Sequence, residues 1–195
     1  MLLNELNHRV KNTLVTVQSF AVQSLRNAGS AAQGREALEG RLVSLARAHD
    51  VLTREHWELA NVTDVVASAL SPYFAKIPNH QLHISGPKLL LKPKAALAFA
   101  LVLHELATNA VKYGALLNES GKISVDWQVT STEPQQVVFR WKERGGPGVK
   151  PPERRGFGSR LIEEGIKQDM AGCVQLDFQP AGLACEIQVP LDRCQ

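Results

Sequence analysis

Glu105, Asn109 and Lys112 follow one another at spacings of four and three in the stretch from His104 to Gly114. On a helix they form a single stripe of acid, amide and cation, which Ala98 and Val102 continue backwards as an apolar track. A carboxylate and an amide oxygen one turn apart can hold Mg2+ when the rest of its shell comes from water and nucleotide phosphates. The same spacing also describes a solvated helix face carrying an ordinary ion pair between Glu105 and Lys112. A second candidate for chemistry is His8, in His8-Arg9-Val10-Lys11-Asn12. An exposed imidazole with a near-neutral pKa is available as a nucleophile.

These groups need elements to carry them. Leu3, Leu6, Val10, Val17 and Phe20 repeat with helical spacing from Leu2 to about Asn27, ended by Gly29 and Ser30. Leu38, Leu42, Leu45, His49 and Leu52 repeat again to about Arg54, so the opening segment reads as a helical hairpin. Two helices bury two such seams poorly, which suggests a four-helix bundle made by dimerisation, although other segments of one chain could also complete it. His8 falls on the face opposite the seam, whereas His49 lies on it and reads as a packed core histidine.

Trp57 to Ala60 reads as a connection, and Asn61 as the cap of a helix to about Leu70, with Asp64 in its first turn and Pro72 and Pro78 breaking the chain after it. Gln81–Ser85 and Leu89–Leu91 are short strand candidates around a Gly86-Pro87 turn. An Ala/Leu-rich helix is expected from Pro93, apt for a first turn, to Tyr113, with Gly114 placed to stop it. Strands are expected at Lys122–Thr130, Gln136–Glu143, Cys173–Gln179 and Leu183–Val189, with a helix from about Ser159 to Met170. Gly145 to Gly158 has almost nothing apolar to bury and reads as a mobile loop. One layer of strands and one of helices fits this order.

The 195 residues suit one or two domains, and an apolar share of 44% is ordinary for a protein with a real core. A formal charge of +3, from 22 basic and 19 acidic side chains, is small and dispersed, and no basic stripe interleaved with aromatics points to nucleic acid. No apolar run is expected to reach membrane-spanning length, so a cytoplasmic location is expected. Cys173, Cys185 and Cys194 lack metal-ligand spacing and read as reduced thiols; His80 and His83 have no nearby Cys, Asp or Glu to complete a zinc site.

Taken in order, His8-Arg9-Val10-Lys11-Asn12, the His104 stretch, Trp141-Lys142-Glu143-Arg144-Gly145-Gly146-Pro147 and Gly156-Phe157-Gly158-Ser159 resemble the HWE family of sensor histidine kinases. His104, Trp141 and Glu143 fill the places from which that family takes its name. The resemblance covers nearly the whole chain. It implies an α+β fold: a dimerisation and phosphoacceptor hairpin over residues 1–58, then a two-layer α/β sandwich of the GHKL (Bergerat) ATPase type over residues 59–195. It implies ATP and Mg2+ as cofactors, a homodimer through the hairpin, and transfer from His8 to an aspartate in the receiver domain of a response regulator. The chain opens almost directly on the helix of His8, so a sensory portion is expected to be missing from it.

Residue by residue, the resemblance makes Asn109 a Mg2+ ligand and Glu105 the metal-shell or base residue beside it, with Lys112 and Tyr113 facing the nucleotide. Glu143 stands where many histidine kinases have the aspartate that accepts a hydrogen bond from the adenine amino group. Gly145 and Gly146 let backbone approach the base, while Gly156, Gly158 and Ser159 open a helix whose amides could receive phosphate, with Arg154 and Arg155 just before it. Pro147 departs from the wider kinase pattern but is usual in this group. Arg9 stands where that pattern has an acid, leaving Glu5 and Glu105 as candidate proton acceptors for His8. The same layout occurs in other GHKL ATPases, which lack the hairpin, and in a degenerate kinase acting by docking.

Overall fold

The computed structural model describes residues 2–26, 29–54, 59–74, 81–149, 162–163, 165–167 and 170–195, and for residues 2–10, 12, 23, 54 and 74 the backbone alone. In order, its elements are α1 (Leu2–Arg26), α2 (Ala31–Arg54), β1 (Ala60–Asn61), α3 (Val62–Phe74), β2 (Leu82–Ser85), β3 (Leu90–Leu91), α4 (Pro93–Lys112), β4 (Lys122–Val129), β5 (Gln136–Arg144), β6 (Cys173–Gln179), β7 (Gly182–Pro190) and α5 (Leu191–Cys194). Residues 162–163, 165–167 and 170 are also helical. Compactness divides the chain between Ser44 and Leu45, inside α2.

The smaller unit is the hairpin. Ser30 caps the second helix, its hydroxyl accepting from the Gln33 amide at 3.2 Å. Arg41 donates to Ser24 Oγ at 2.6 Å, and both side chains are buried, so a hydrogen bond joins α1 to α2 where an apolar seam alone would leave register loose. Phe20 is fully buried, while Leu14, Val15, Val22 and Leu25 are exposed.

In the larger unit a five-stranded sheet runs in the order β2-β4-β5-β7-β6, with β2 parallel to β4 and the remaining pairs antiparallel. Alternation decides its faces. Ile123, Val125, Trp127, Phe139, Trp141, Cys185, Ile187 and Val189 are buried, and Phe99 of α4 meets Phe139 at a centroid distance of 5.2 Å. On the opposite face Asp126, Arg140 and Glu186 stand in register on β4, β5 and β7. Arg140 lies 3.6 Å from Asp126 and 2.8 Å from Glu186. The Glu186 hydrogen bond raises Arg140 above its ordinary pKa, and Gln188 and Arg140 together hold Glu186 below the usual carboxylate range.

Two expectations change, and one strand pairing is new. Pro72 lies inside α3, which continues to Phe74. A proline there deprives the Ser68 carbonyl of its donor, and the Ser71 hydroxyl supplies one at 2.9 Å. Asn61 does cap α3, accepting from the Thr63 amide at 3.1 Å. The segments around it form a separate two-stranded sheet, Ala60 opposite Leu91, that the sequence reading did not pair. Finally, α4 is long and apolar enough by composition to cross a membrane, contrary to the expectation of no such run. Most of its apolar residues between Ala95 and Ala110 are instead buried in the core, with Leu97, Ala98 and Leu101 partly so. The tail of α2 joins that core through Ala48, Val51 and Leu52.

All three cysteines are free thiols, Cys173 exposed and Cys185 and Cys194 buried, and burial pushes both buried thiols up to about 12.

β7 begins at Gly182 with φ +140, and a Cβ there would lie 2.2 Å from the Glu143 carbonyl oxygen. Gly182→Ala is expected to lower stability by about 1–3 kcal/mol through backbone strain and this clash. A urea melt indistinguishable from that of the unsubstituted protein would contradict the assignment.

Candidate functional site

Pro93 fits the first turn of α4, and the start of the helix is held by Lys92, whose amide donates to Cys194 O at 2.6 Å and whose Nζ donates to Asp192 O at 2.8 Å. Along the stripe toward the other end, exposure rises: Glu105 is buried, Asn109 half-buried and Lys112 exposed. Tyr113 follows, 71% exposed. The helix ends with the Tyr113 amide on Asn109 O at 2.7 Å and the Gly114 amide on Ala110 O at 3.2 Å.

Gly114 is not in the left-handed region, having φ −117, so it does not end α4 by a positive-φ cap. It is needed because a Cβ would lie 2.1 Å from Glu143 Oε2. That carboxylate is the centre of the site. Its Oε2 accepts from the Ala115 amide at 2.9 Å and its Oε1 from the Trp141 indole at 3.0 Å, with only 4% of the residue exposed. Burial pushes Glu143 above the ordinary carboxylate range, and the two hydrogen bonds pull it partly back. The tryptophan and the glutamate of the motif therefore hold one another.

The loop after α4 is tied to the glycine stretch by further bonds. Gln81, buried, donates to Glu119 O at 2.5 Å and to Asn118 O at 3.3 Å. Asn118 Nδ2 and Ser120 Oγ each donate to Gly145 O at 3.3 Å. Gly145 has φ +73, and Gly146 lies against the Ala115 backbone. Here these two glycines allow close approach of chain to chain. Arg154, Arg155, Gly156, Gly158 and Ser159 lie outside the described residues, as does the expected loop from residue 150 onward. The side chain of His8, on α1, is also outside them.

The fold brings Glu143, Gly145 and Gly146 against the segment that directly follows Lys112 and Tyr113. A further cluster escaped the sequence reading. The Tyr73 hydroxyl on α3 lies 2.9 Å from His104 Nδ1 and 2.8 Å from Thr108 Oγ1, both on α4. Burial raises Tyr73 above its ordinary value, the Thr108 hydrogen bond and Arg47 lowering it and Glu105 raising it. Apart from Tyr73 standing beside a proline, nothing in the sequence marked it. His49, expected as a packed core histidine, is half-buried, and burial lowers its pKa against the pull of Asp50.

Residues 5–88 match the family described as HWE histidine kinase. A blue-light-activated histidine kinase of Brucella ovis is 38% identical over 188 residues, covering 96% of this chain, and one of Brucella anthropi matches to the same extent. The chain spans 38% of the length of these relatives. Among solved structures, the Erythrobacter litoralis EL346 blue-light activated histidine kinase aligns with TM-score 0.68 and 17% identity over 98% of this chain and 59% of that one. The histidine kinase domain from the same protein aligns with TM-score 0.62 and 13% identity over 93% and 95%. At these identities the likeness is one of fold.

Glu143→Gln would turn an amide donor toward one of two N–H groups, so a loss of about 1–3 kcal/mol is expected. The sign of its pH dependence follows from the raised carboxyl. The stabilising contribution of Glu143 is full below the ordinary glutamate value and is lost as pH rises through the raised folded value. Chemical denaturation across that window should show the advantage of the native protein over Glu143→Gln shrinking as pH rises. A constant difference would mean that Glu143 does not titrate as a buried acid.

Proposed function

The chain belongs to the HWE histidine kinase family, and on that premise we propose that it is an ATP-dependent protein-histidine autokinase of a two-component system. The observation that carries the proposal is the latch of Glu143 onto Trp141 and Ala115, which joins the motif strand to the end of the helix bearing Glu105 and Asn109. In this reading residues 1–58 form the dimerisation and phosphoacceptor hairpin and residues 59–195 the catalytic domain.

An imidazole nitrogen of His8 attacks the γ-phosphorus of ATP in line. A nitrogen–phosphorus bond forms, the bond from γ-phosphorus to the bridging oxygen breaks, and ADP leaves. The imidazole proton passes to an acid, for which Glu5 and Glu105 are the candidates. An aspartate carboxylate of a response-regulator receiver then takes the phosphoryl group from His8. Mg2+ would supply neutralisation of phosphate charge. Glu105 and Asn109 fit its preference for hard oxygen donors, and among the described residues no cluster of three or more His, Cys, Asp or Glu forms a cage without nucleotide.

The carboxylate of Glu143 has lone pairs beyond the two already engaged, so it can also accept from the adenine amino group. Gly145 and Gly146 border the base. Lys112 and Tyr113, both exposed, are assigned to the nucleotide, and by the family resemblance Arg154, Arg155, Gly156, Gly158 and Ser159 are assigned to its phosphates. Homodimerisation is supported by Leu14, Val15, Val22 and Leu25, all exposed on α1. Helical spacing puts these four within an arc of about 100°. The three free thiols suit a cytoplasmic location.

With γ-labelled ATP and Mg2+, the protein is expected to acquire label that is labile in acid and stable in base. His8→Gln should abolish labelling and still bind nucleotide; label at the unsubstituted level would move the acceptor elsewhere, with His49 next to test. Asn109→Ala should also abolish labelling, at a stability cost of no more than about 1–2 kcal/mol, since a half-exposed polar residue is seldom worth more. Normal turnover in that variant would remove Asn109 from the metal site. Nucleotide binding without any labelling would leave a module that acts by docking.

A further inference from the structure

We infer that Tyr73 is a positioning residue for the nucleotide site, setting through His104 and Thr108 the rotation of α4 that presents Glu105 and Asn109. The inference rests on the metal role proposed for those two residues.

Alanines give a helix little shape with which to fix its rotation, and five of the buried residues of α4 are alanines, Ala95, Ala96, Ala100, Ala107 and Ala110, beside the larger Phe99, Val102, Leu103 and Leu106. Polar contacts resist such motion because they are directional. The Tyr73 hydroxyl reaches His104 Nδ1 at 2.9 Å and Thr108 Oγ1 at 2.8 Å, groups one helical turn apart, and lies 3.4 Å from the His104 carbonyl. A step of one residue along α4 turns the helix by about 100° and would break both side-chain bonds together. His104 and Thr108 immediately precede Glu105 and Asn109, so the orientation of one pair fixes that of the other.

The part of α3 that carries Tyr73 is itself tied to α2. Arg47 of α2 donates to Ser71 Oγ, and Ser71 in turn donates to Ser68 O, the bond that lets α3 continue through Pro72 to Tyr73. Beside the larger effects of burial and the Thr108 hydrogen bond, Glu105 raises the pKa of the Tyr73 phenol and Arg47 lowers it. Polar contacts thus tie α2 to α3 at Ser71 and α3 to α4 at Tyr73, two residues further on, all within the larger unit. His104, the histidine of the family's name, is one of the two α4 side chains by which Tyr73 holds the helix from the α3 side.

The test uses Tyr73→Phe and Thr108→Val, which keep the packed volume and remove the hydroxyl from one side or the other. Affinity for a non-hydrolysable ATP analogue is measured with Mg2+ and with the metal chelated, beside a thermal melt of each variant. In the unsubstituted protein Mg2+ should tighten binding. In both variants this gain should fall by about five- to tenfold, the worth of one hydrogen bond, while metal-free affinity stays within about twofold. Full retention of the gain in either variant overturns the inference and leaves the proposed metal site standing. A proportional loss of both affinities would show only general support of the domain and also overturns it. No gain from Mg2+ in the unsubstituted protein would bring down the metal site first, and the positioning role with it.

Discussion

A buried carboxylate is tolerable only where donors replace the water it has lost, and that requirement at Glu143 organises the larger unit. Two N–H groups meet it, one from the indole two residues earlier on the same strand and one from the first residue after Gly114. Each must arrive at hydrogen-bonding distance, so the end of α4, the start of the following turn and the course of β5 are mutually determined. Gly114 and Gly182 complete the constraint by leaving no Cβ where Glu143 needs space. The helix end and the glycine stretch are thereby parts of one bonded unit, although about thirty residues separate them.

The sheet divides the remaining work between its faces. One face is continuous aromatic and aliphatic packing against α4, where Phe139 stacks with Trp127 and meets Phe99 at a tilt. The other carries the Asp126, Arg140 and Glu186 row, with side chains about one-third exposed, where each pair is worth roughly 0.2–1 kcal/mol. That row stabilises modestly, and its register lends the strands a polar face to solvent. An apolar helix long enough for a bilayer is consequently read correctly only with its surroundings: α4 is apolar because a sheet covers it.

Much of this was legible in the sequence because it depends on local pattern. Alternation fixed the four long strands to within a residue or two, and Pro93 marked the first residue of α4. What escaped depends on contacts between distant residues. Pro72 was read as a breaker because the hydroxyl that rescues its helix acts only once α3 forms. Gly114 was assigned a terminating role because its true neighbour, Glu143, lies 29 positions further on. Tyr73 was invisible for the same reason, meeting His104 at a separation of 31. In the candidate site the residue types were readable, whereas the partners of those residues were not. Glu143 was noticed for what it could offer a ligand, and its bonds to Trp141 and Ala115 emerged only from the fold.

The bond between Trp141 and Glu143 has a consequence for descent. Two side chains that satisfy one another in a closed space cannot be exchanged one at a time without passing through an intermediate that buries an unmet group. Gly114 and Gly182 are bound into the same set, since any larger residue at either place collides with the acid or its backbone. Drift at these four positions is therefore concerted or blocked, while the exposed sheet row can exchange piecemeal. In this chain the tryptophan and the glutamate of the motif therefore amount to a single contact spelled with two residues.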